Sequence, residues 1–157
     1  MKGTVYIETS VISYLASRPS RDLVVAANQR VTLEWWEAKF LMYDAYISQV
    51  VVEEASMGDP DAAKDRLGLI ESIPLLELND HVLGLASRLL KRSVLPERAV
   101  RDALHIAVAT VHGMDYLLTW NCRHIANALI RSAITGVCLS EGYETPVICT
   151  PLELLGE

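Results

Sequence analysis

The chain has 157 residues, of which 51% are hydrophobic and 22% are charged, and its formal net charge is −6. This length and apolar content are sufficient for a hydrophobic core and exclude an intrinsically disordered chain. The negative charge excludes a protein that binds nucleic acid through a broadly positive surface, but not an enzyme whose acidic site is completed by cations. We therefore expect a single domain that spans residues 1–157.

The spacing of the cysteines and the length of the apolar runs indicate in which cellular compartment the protein is expected. Cys122, Cys138 and Cys149 lie far apart and form no C-x-x-C pair, which argues against a disulfide framework or a zinc site and suits a reducing environment. No apolar run approaches the roughly 18 residues of a membrane span. Glu8 makes the N-terminus a poor signal peptide. The sequence thus predicts a cytoplasmic protein without a membrane partner.

Short apolar runs alternate along the chain with segments of helical periodicity. Strands are predicted at 4–7, 46–48 and 74–78, around Leu117, and at 147–149. Helices are predicted at 12–15, after a cap at Ser20 or Asp22, at 49–56 with Ser48 as cap, at 60–71, from Asn79 or Asp80 to Leu90, from Pro96 to Gly113, and at about 125–135. This alternation predicts an α/β fold, a three-layer α/β/α sandwich around a mostly parallel sheet.

The helix between Pro96 and Gly113 is apolar on nearly every side, which predicts that it is buried in the middle of the domain. Asp102 lies inside it. A carboxylate in such a place is costly unless it is paired or bound to a cation. Asp102 is therefore either a partner of Arg98, four residues earlier on the same helix, or part of a site.

Four oxygen-bearing side chains are expected to meet at the carboxyl edge of the sheet, where sites form in open parallel sheets. Glu8 follows the first strand, Asn121 follows the strand at Leu117, Glu54 lies on the helix that leaves the second strand, and Asp102 is near the start of its helix. Clustered carboxylates repel one another unless protons or cations are bound, and oxygen ligands favour Mg²⁺ or Mn²⁺. Glu8 as a helix cap and Asn121 as a turn residue are the alternatives.

Two histidines and a tryptophan pair have simpler explanations than catalysis. His105 and His124 are candidates for a general base, but a lone histidine is more often structural. Trp35 and Trp36 are able to stack on bases, yet in an amphipathic helix they are expected in the core or in a groove for a partner. We place none of the four in the predicted site.

Four motifs in this order resemble the PIN-domain ribonucleases, and most closely the VapC-like toxins of type II toxin–antitoxin modules. They are Tyr6-Ile7-Glu8-Thr9-Ser10, Ser48 followed by Glu54 and Gly58, Asp102-Ala103-Leu104-His105-Ile106-Ala107, and Thr119-Trp120-Asn121. The resemblance implies an α/β/α fold and cleavage of RNA that depends on Mg²⁺ or Mn²⁺. It also implies a homodimer that a cognate antitoxin protein inhibits.

The resemblance also assigns roles by position. Glu8, Glu54 and Asp102 match the three core acids that hold metal, and Asn121 matches a fourth, more variable catalytic position. Supporting roles are implied for hydroxyl side chains in the same motifs, namely Ser10 or Thr9 beside the first acid, and Thr119.

Two departures from the family pattern qualify the expected activity. Glu8 stands where the family usually has Asp, and His124 stands where a further Asp is often found. Mg²⁺ demands near-ideal octahedral geometry, so the longer Glu8 side chain implies weakened activity or activity recovered with Mn²⁺. A missing acid implies one firmly held metal. The alternative to a toxin is a weakened or inactive PIN-like module that binds RNA or a protein partner.

Overall fold

A computed structural model describes residues 1–92 and 94–156 as an α/β protein built on a five-stranded sheet in which every pairing is parallel. The strands are β1 (Gly3–Ile7), β2 (Tyr43–Ser48), β3 (Leu75–Leu76), β4 (Tyr116–Leu118) and β5 (Val147–Cys149), in the spatial order β3-β2-β1-β4-β5. The helices are α1 (Thr9–Ala16), α2 (Leu23–Ala38), α3 (Gln49–Ala55), α4 (Pro60–Ile70), α5 (Asp80–Lys91), α6 (Val100–Val111), α7 (Ala128–Ser140) and α8 (Pro151–Leu155). The predicted α/β/α architecture is confirmed.

Strand β1 is the centre of the sheet. Its residues Val5, Tyr6 and Ile7 are fully buried, as expected for a parallel strand that is covered on both faces. Ile7 is in register with Leu118 of β4, and the Glu8 N–H continues this ladder by donating to the Leu118 carbonyl over 3.0 Å. The carboxyl ends of β1 and β4 therefore lie side by side.

Helix α6 is the buried helix that its composition predicts. It packs against α5, and its buried residues are Ala103, His105, Ile106, Ala107, Val108, Ala109 and Thr110. Asp102 lies in its first turn. This placement brings the start of α6 to the edge of the sheet where β1 and β4 end.

Several predicted boundaries are wrong. Strand β2 begins at Tyr43 and not at 46, and α7 ends at Ser140 and not at about 135. The central helix begins at Val100 and not at Pro96, because residues 96–99 form a separate turn in which the Ala99 N–H donates to the Pro96 carbonyl. Helix α7 begins at Ala128 rather than at about 125, because the Asn127 side chain caps it there by accepting from the Leu129 N–H. The third strand is shorter than 74–78.

Two elements were not predicted. Phe40–Met42 forms a 3-10 turn before β2, and α8 follows β5. Thr150 and Glu153 form a capping box at the start of α8, a reciprocal pair of bonds that satisfies free backbone N–H groups. Among residues 1–92 and 94–156, no helix combines the length and the apolar character needed to cross a bilayer.

The three thiols are expected to differ sharply in reactivity. Cys122 is exposed, whereas Cys138 and Cys149 are buried. Burial raises the pKa of the Cys138 thiol and raises that of Cys149 to about 12. Since the thiolate is the reactive form, a thiol-specific reagent at mildly alkaline pH should label only Cys122 in the native protein and all three after denaturation. Cys122→Ser should abolish the native labelling, and a second fast thiol would contradict this assignment.

Candidate metal centre

Glu8 lies at the junction of β1 and α1 and has only 5% of its surface exposed. It is the N-cap of α1, and its Oε2 accepts from the Ser10 N–H over 3.1 Å. A capping carboxylate satisfies one of the free N–H groups of the first helical turn. The capping role that the sequence allowed for Glu8 is therefore real, and it fixes the carboxylate at the carboxyl edge of the sheet.

Two hydroxyl groups hold the other oxygen of Glu8. Ser10 Oγ and Thr119 Oγ1 each lie 2.5 Å from Glu8 Oε1. Each hydroxyl also accepts from a backbone N–H, from Trp120 to Ser10 over 2.8 Å and from Asn121 to Thr119 over 2.9 Å. Because a carboxylate oxygen accepts, both hydroxyls donate their protons to Glu8 and keep lone pairs for the backbone N–H groups. Ser10 and Thr119, for which supporting roles were predicted, thus contact the Glu8 carboxylate directly.

Glu54 lies on α3 and accepts two hydrogen bonds on its Oε1. Thr9 Oγ1 donates over 2.7 Å, and His105 Nε2 lies at 2.6 Å. Burial raises the pKa of the Glu54 carboxyl, but the bond and charge of His105, the Thr9 bond and the charge of Arg101 outweigh it, so the pKa is lowered. Glu54 is thus ionised at neutral pH, as a metal ligand must be.

A buried chain of polar groups stands behind His105. The Tyr6 hydroxyl lies 2.7 Å from His105 Nδ1 and 2.8 Å from Ser48 Oγ. All three side chains are buried, and burial raises the pKa of the Tyr6 hydroxyl, so it keeps its proton. The predicted side-chain cap by Ser48 is wrong, because Ser48 occupies the N-cap position of α3 without capping it and bonds to Tyr6 instead.

Glu8, Glu54 and His105 form a compact group whose potential ligand atoms all lie within 4.8 Å of one another. In the described part of the chain, neither carboxylate forms an ion pair with a lysine or arginine. Octahedral Mg²⁺ holds oxygens at about 2.0–2.1 Å, so opposite ligands lie about 4 Å apart. The two carboxylates fit such an ion, whereas His105 is already bonded to Glu54 and fits a role behind it.

Asp102 forms a second cluster with Asn121 and His124. Its Oδ1 accepts from Asn121 Nδ2 over 3.1 Å and its Oδ2 lies 2.8 Å from His124 Nδ1. Within the described residues its partner is His124 and not Arg98, the partner that the sequence also allowed. Asp102 does not join the group formed by Glu8, Glu54 and His105.

Asn121 organises the loop after β4. Its side-chain oxygen accepts from the backbone N–H groups of Arg123 and His124, at 3.2 and 3.0 Å. Its backbone N–H bonds to Thr119, which holds Glu8, and its side-chain amide bonds to Asp102. The turn role is therefore real, and the same residue connects the two clusters. Its predicted catalytic role stays a prediction.

His105 contacts Glu54 and His124 contacts Asp102, but the sequence analysis placed neither histidine in the site. Tyr6, which contacts His105, was not placed there either. A tyrosine within an apolar strand is the signal that was available, because a buried tyrosine hydroxyl usually has a hydrogen-bond partner. Thr9 was noted only as an alternative to Ser10, and it bonds to Glu54 rather than to Glu8. Trp35, in contrast, is buried in the core as expected.

A cleft of about 430 Å³ adjoins Asp102 at the start of α6, and its lining includes Arg98 and Arg101. Neither arginine forms an ion pair among residues 1–92 and 94–156. Guanidinium groups bind phosphate oxygens with two parallel hydrogen bonds. The cleft is thus a basic surface beside an acidic site on a protein whose overall charge is negative.

Comparison of the chain with protein-family models finds no match, and neither does comparison with curated proteins. Its function is therefore inferred from the chemistry of the site. Two ionisable carboxylates at the carboxyl edge of a parallel sheet, held by hydroxyl groups and a histidine, are suited to bind a hard divalent cation.

Proposed function

We propose that the protein is an Mg²⁺- or Mn²⁺-dependent endoribonuclease and the toxin of a toxin–antitoxin pair. The observation that carries the proposal is the close approach of Glu8 and Glu54 without a lysine or arginine partner among the described residues. Two such carboxylates are stable together when a cation binds between them. The ordered motifs that resemble the PIN-domain ribonucleases supply the substrate class.

The side chains divide the work of the proposed reaction. Bound metal lowers the pKa of a water molecule and stabilises negative charge on the leaving oxygen. Glu8 and Glu54 would hold the metal, with Asp102 as the third acid that the resemblance implies. Thr9, Ser10 and Thr119 orient the oxygens of the two glutamates. Arg98 and Arg101 bind the phosphate backbone of RNA in the cleft beside Asp102.

The deciding experiment measures cleavage of mixed RNA with Mg²⁺, with Mn²⁺ and with a chelator, beside the Asp102→Asn variant. Asparagine keeps the size of Asp102 and can still accept from Asn121, so a loss of activity reports the missing charge. We expect cleavage that requires metal and disappears in the variant. Absence of cleavage with both ions, or cleavage that Asp102→Asn leaves unchanged, would overturn the proposal that the protein is a metal-dependent ribonuclease.

An inactive module that binds RNA or a protein is the second candidate, and Glu8 is the observation that favours it. If Glu8 marks a decayed site, Glu8→Asp should raise activity. The structure favours the opposite result, because both hydroxyls contact Oε1 of the longer side chain at 2.5 Å. We expect Glu8→Asp to weaken Mn²⁺ binding and cleavage by about 10-fold or more. Losing a hydrogen bond to a metal ligand typically costs about 10- to 100-fold in affinity or activity, and this is the lower end of that range.

The two arginines of the cleft should act on RNA binding more than on chemistry. Arg98→Gln and Arg101→Gln are expected to raise KM, with kcat nearly unchanged, and to reduce the salt dependence of RNA binding by about one phosphate contact each. Arg88→Gln is the matched control, since it removes the same charge from a residue that pairs with Glu141. An equal effect of all three variants would contradict a specific role for the cleft.

We further propose a cytoplasmic homodimer that an antitoxin protein inhibits. These partners are supported by the resemblance of the motifs alone. Sedimentation of the purified protein tests the dimer. Co-purification with the product of a neighbouring small gene, together with loss of cleavage in that complex, tests the antitoxin.

A further inference from the structure

We propose that Tyr6 is a positioning residue for Glu54, and that it acts through His105. This inference rests on the metal-binding role proposed for Glu54. The three side chains come from β1, α6 and α3, so the contact joins the central strand to helices on which the site depends. Ser48, at the end of β2, completes the chain of contacts.

Short hydrogen bonds join the four side chains without a break. A carboxylate oxygen accepts, so His105 Nε2 donates to Glu54 Oε1 over 2.6 Å. On the other side of the ring, the Tyr6 hydroxyl lies 2.7 Å from His105 Nδ1. Ser48 Oγ lies 2.8 Å from the same hydroxyl. Both ring nitrogens and the Tyr6 hydroxyl thus have partners, and the ring is held from two sides.

The hydroxyl of Tyr6 helps to fix the His105 ring, and the ring in turn restricts the side chain of Glu54. Glu54 is part-exposed, with 23% of its side chain accessible, whereas the His105 side chain is fully buried. A flexible glutamate loses rotamer entropy when it binds a metal. A fixed His105 ring reduces this loss because it restricts the Glu54 side chain before the metal binds. In the described part of the chain the bonds to Thr9 and His105 are both made to Oε1, and Oε2 accepts no hydrogen bond.

The test compares Tyr6→Phe with Tyr46→Phe. Tyr46 is the register partner of Tyr6 on β2, and within residues 1–92 and 94–156 its hydroxyl makes no hydrogen bond, so the control removes the same atom from the neighbouring strand. Mn²⁺ affinity is measured by electron paramagnetic resonance without RNA. Loss of an outer-shell partner typically costs 10- to 100-fold in metal affinity. We expect a loss of about 10-fold or more for Tyr6→Phe and none for Tyr46→Phe.

Two further variants separate positioning from general loss of structure. His105→Gln keeps an N–H group near the position of Nε2, whereas His105→Leu has none, so glutamine should retain more of the Mn²⁺ affinity than leucine. Ser48→Ala removes only the outermost bond and should have a smaller effect than Tyr6→Phe. Equal affinities of the glutamine and leucine variants would argue against a directed hydrogen bond.

A metal-free crystal structure of Tyr6→Phe gives a readout that does not depend on the proposed function. We expect the His105 ring to rotate or the contact between Nε2 and Glu54 Oε1 to lengthen. Wild-type protein that fails to bind Mn²⁺ would overturn the proposed function, and the crystal structure would still decide the role of Tyr6. An unchanged contact in that variant, or unchanged Mn²⁺ affinity beside a binding wild type, would overturn the inference.

Discussion

Glu54→Gln is expected to lower the rate of RNA cleavage by more than about 100-fold, beyond the loss typical of an outer-shell residue. Glutamine keeps the shape of the side chain but removes the negative charge that the proposed cation would neutralise. It also offers an amide in place of a carboxylate to His105, whose Nε2 lies 2.6 Å from Oε1. The measurement is the rate of cleavage at saturating Mn²⁺ and at saturating Mg²⁺.

Glu53→Gln is the control that the chain itself provides for this experiment. Glu53 is the preceding residue on α3 and is exposed. The substitution makes the same change of charge at the neighbouring position, so its rate should equal that of the wild type. A similar loss in both variants would show that overall charge, rather than the position of Glu54, controls activity.

Mn²⁺ is expected to raise the melting temperature of the wild-type protein by about 5–10 °C at a concentration 100 times its Kd. A ligand that binds only the folded state at this ratio adds about 2.7 kcal/mol to the free energy of unfolding. For a chain of about this length each kcal/mol raises the melting temperature by about 2–4 °C. Thermal denaturation followed by circular dichroism at increasing Mn²⁺ measures the shift.

The same titration of Glu54→Gln separates binding at the site from a general effect of salt. This variant should show little or no shift, whereas Glu53→Gln should behave as the wild type does. Equal shifts in all three proteins would place the stabilising ion elsewhere on the acidic surface and would contradict the proposed centre.

The fold was predictable because the central strands β1 and β4 are largely buried and all the strands stand out as short apolar runs between helical segments. Their number, parallel direction and approximate positions are confirmed. The errors lie at the ends of helices and strands, where single contacts decide. Pro96 allowed a helix to begin, but nothing in the sequence showed that residues 96–99 close a separate turn before Val100.

The sequence allowed us to predict which site residues follow neighbouring strands, but not which side chains contact one another. Glu8 and Thr119 follow neighbouring strands, so their contact follows from a parallel sheet. The partners of Glu54 depend on the rotation of α6 about its axis and on the direction of each side chain. Those details place His105 against Glu54 and His124 against Asp102, and periodicity alone does not determine them.

The bond between Glu8 and Thr119 joins residues 111 positions apart. During synthesis, therefore, the first acid leaves the ribosome long before the hydroxyl that fixes it. Chains released early, before β4, would contain Glu8 and Glu54 but would lack the strand beside β1 that completes the edge of the sheet. Contacts between such distant segments also slow folding. The metal centre that we propose would thus be complete only after nearly the whole chain had been made.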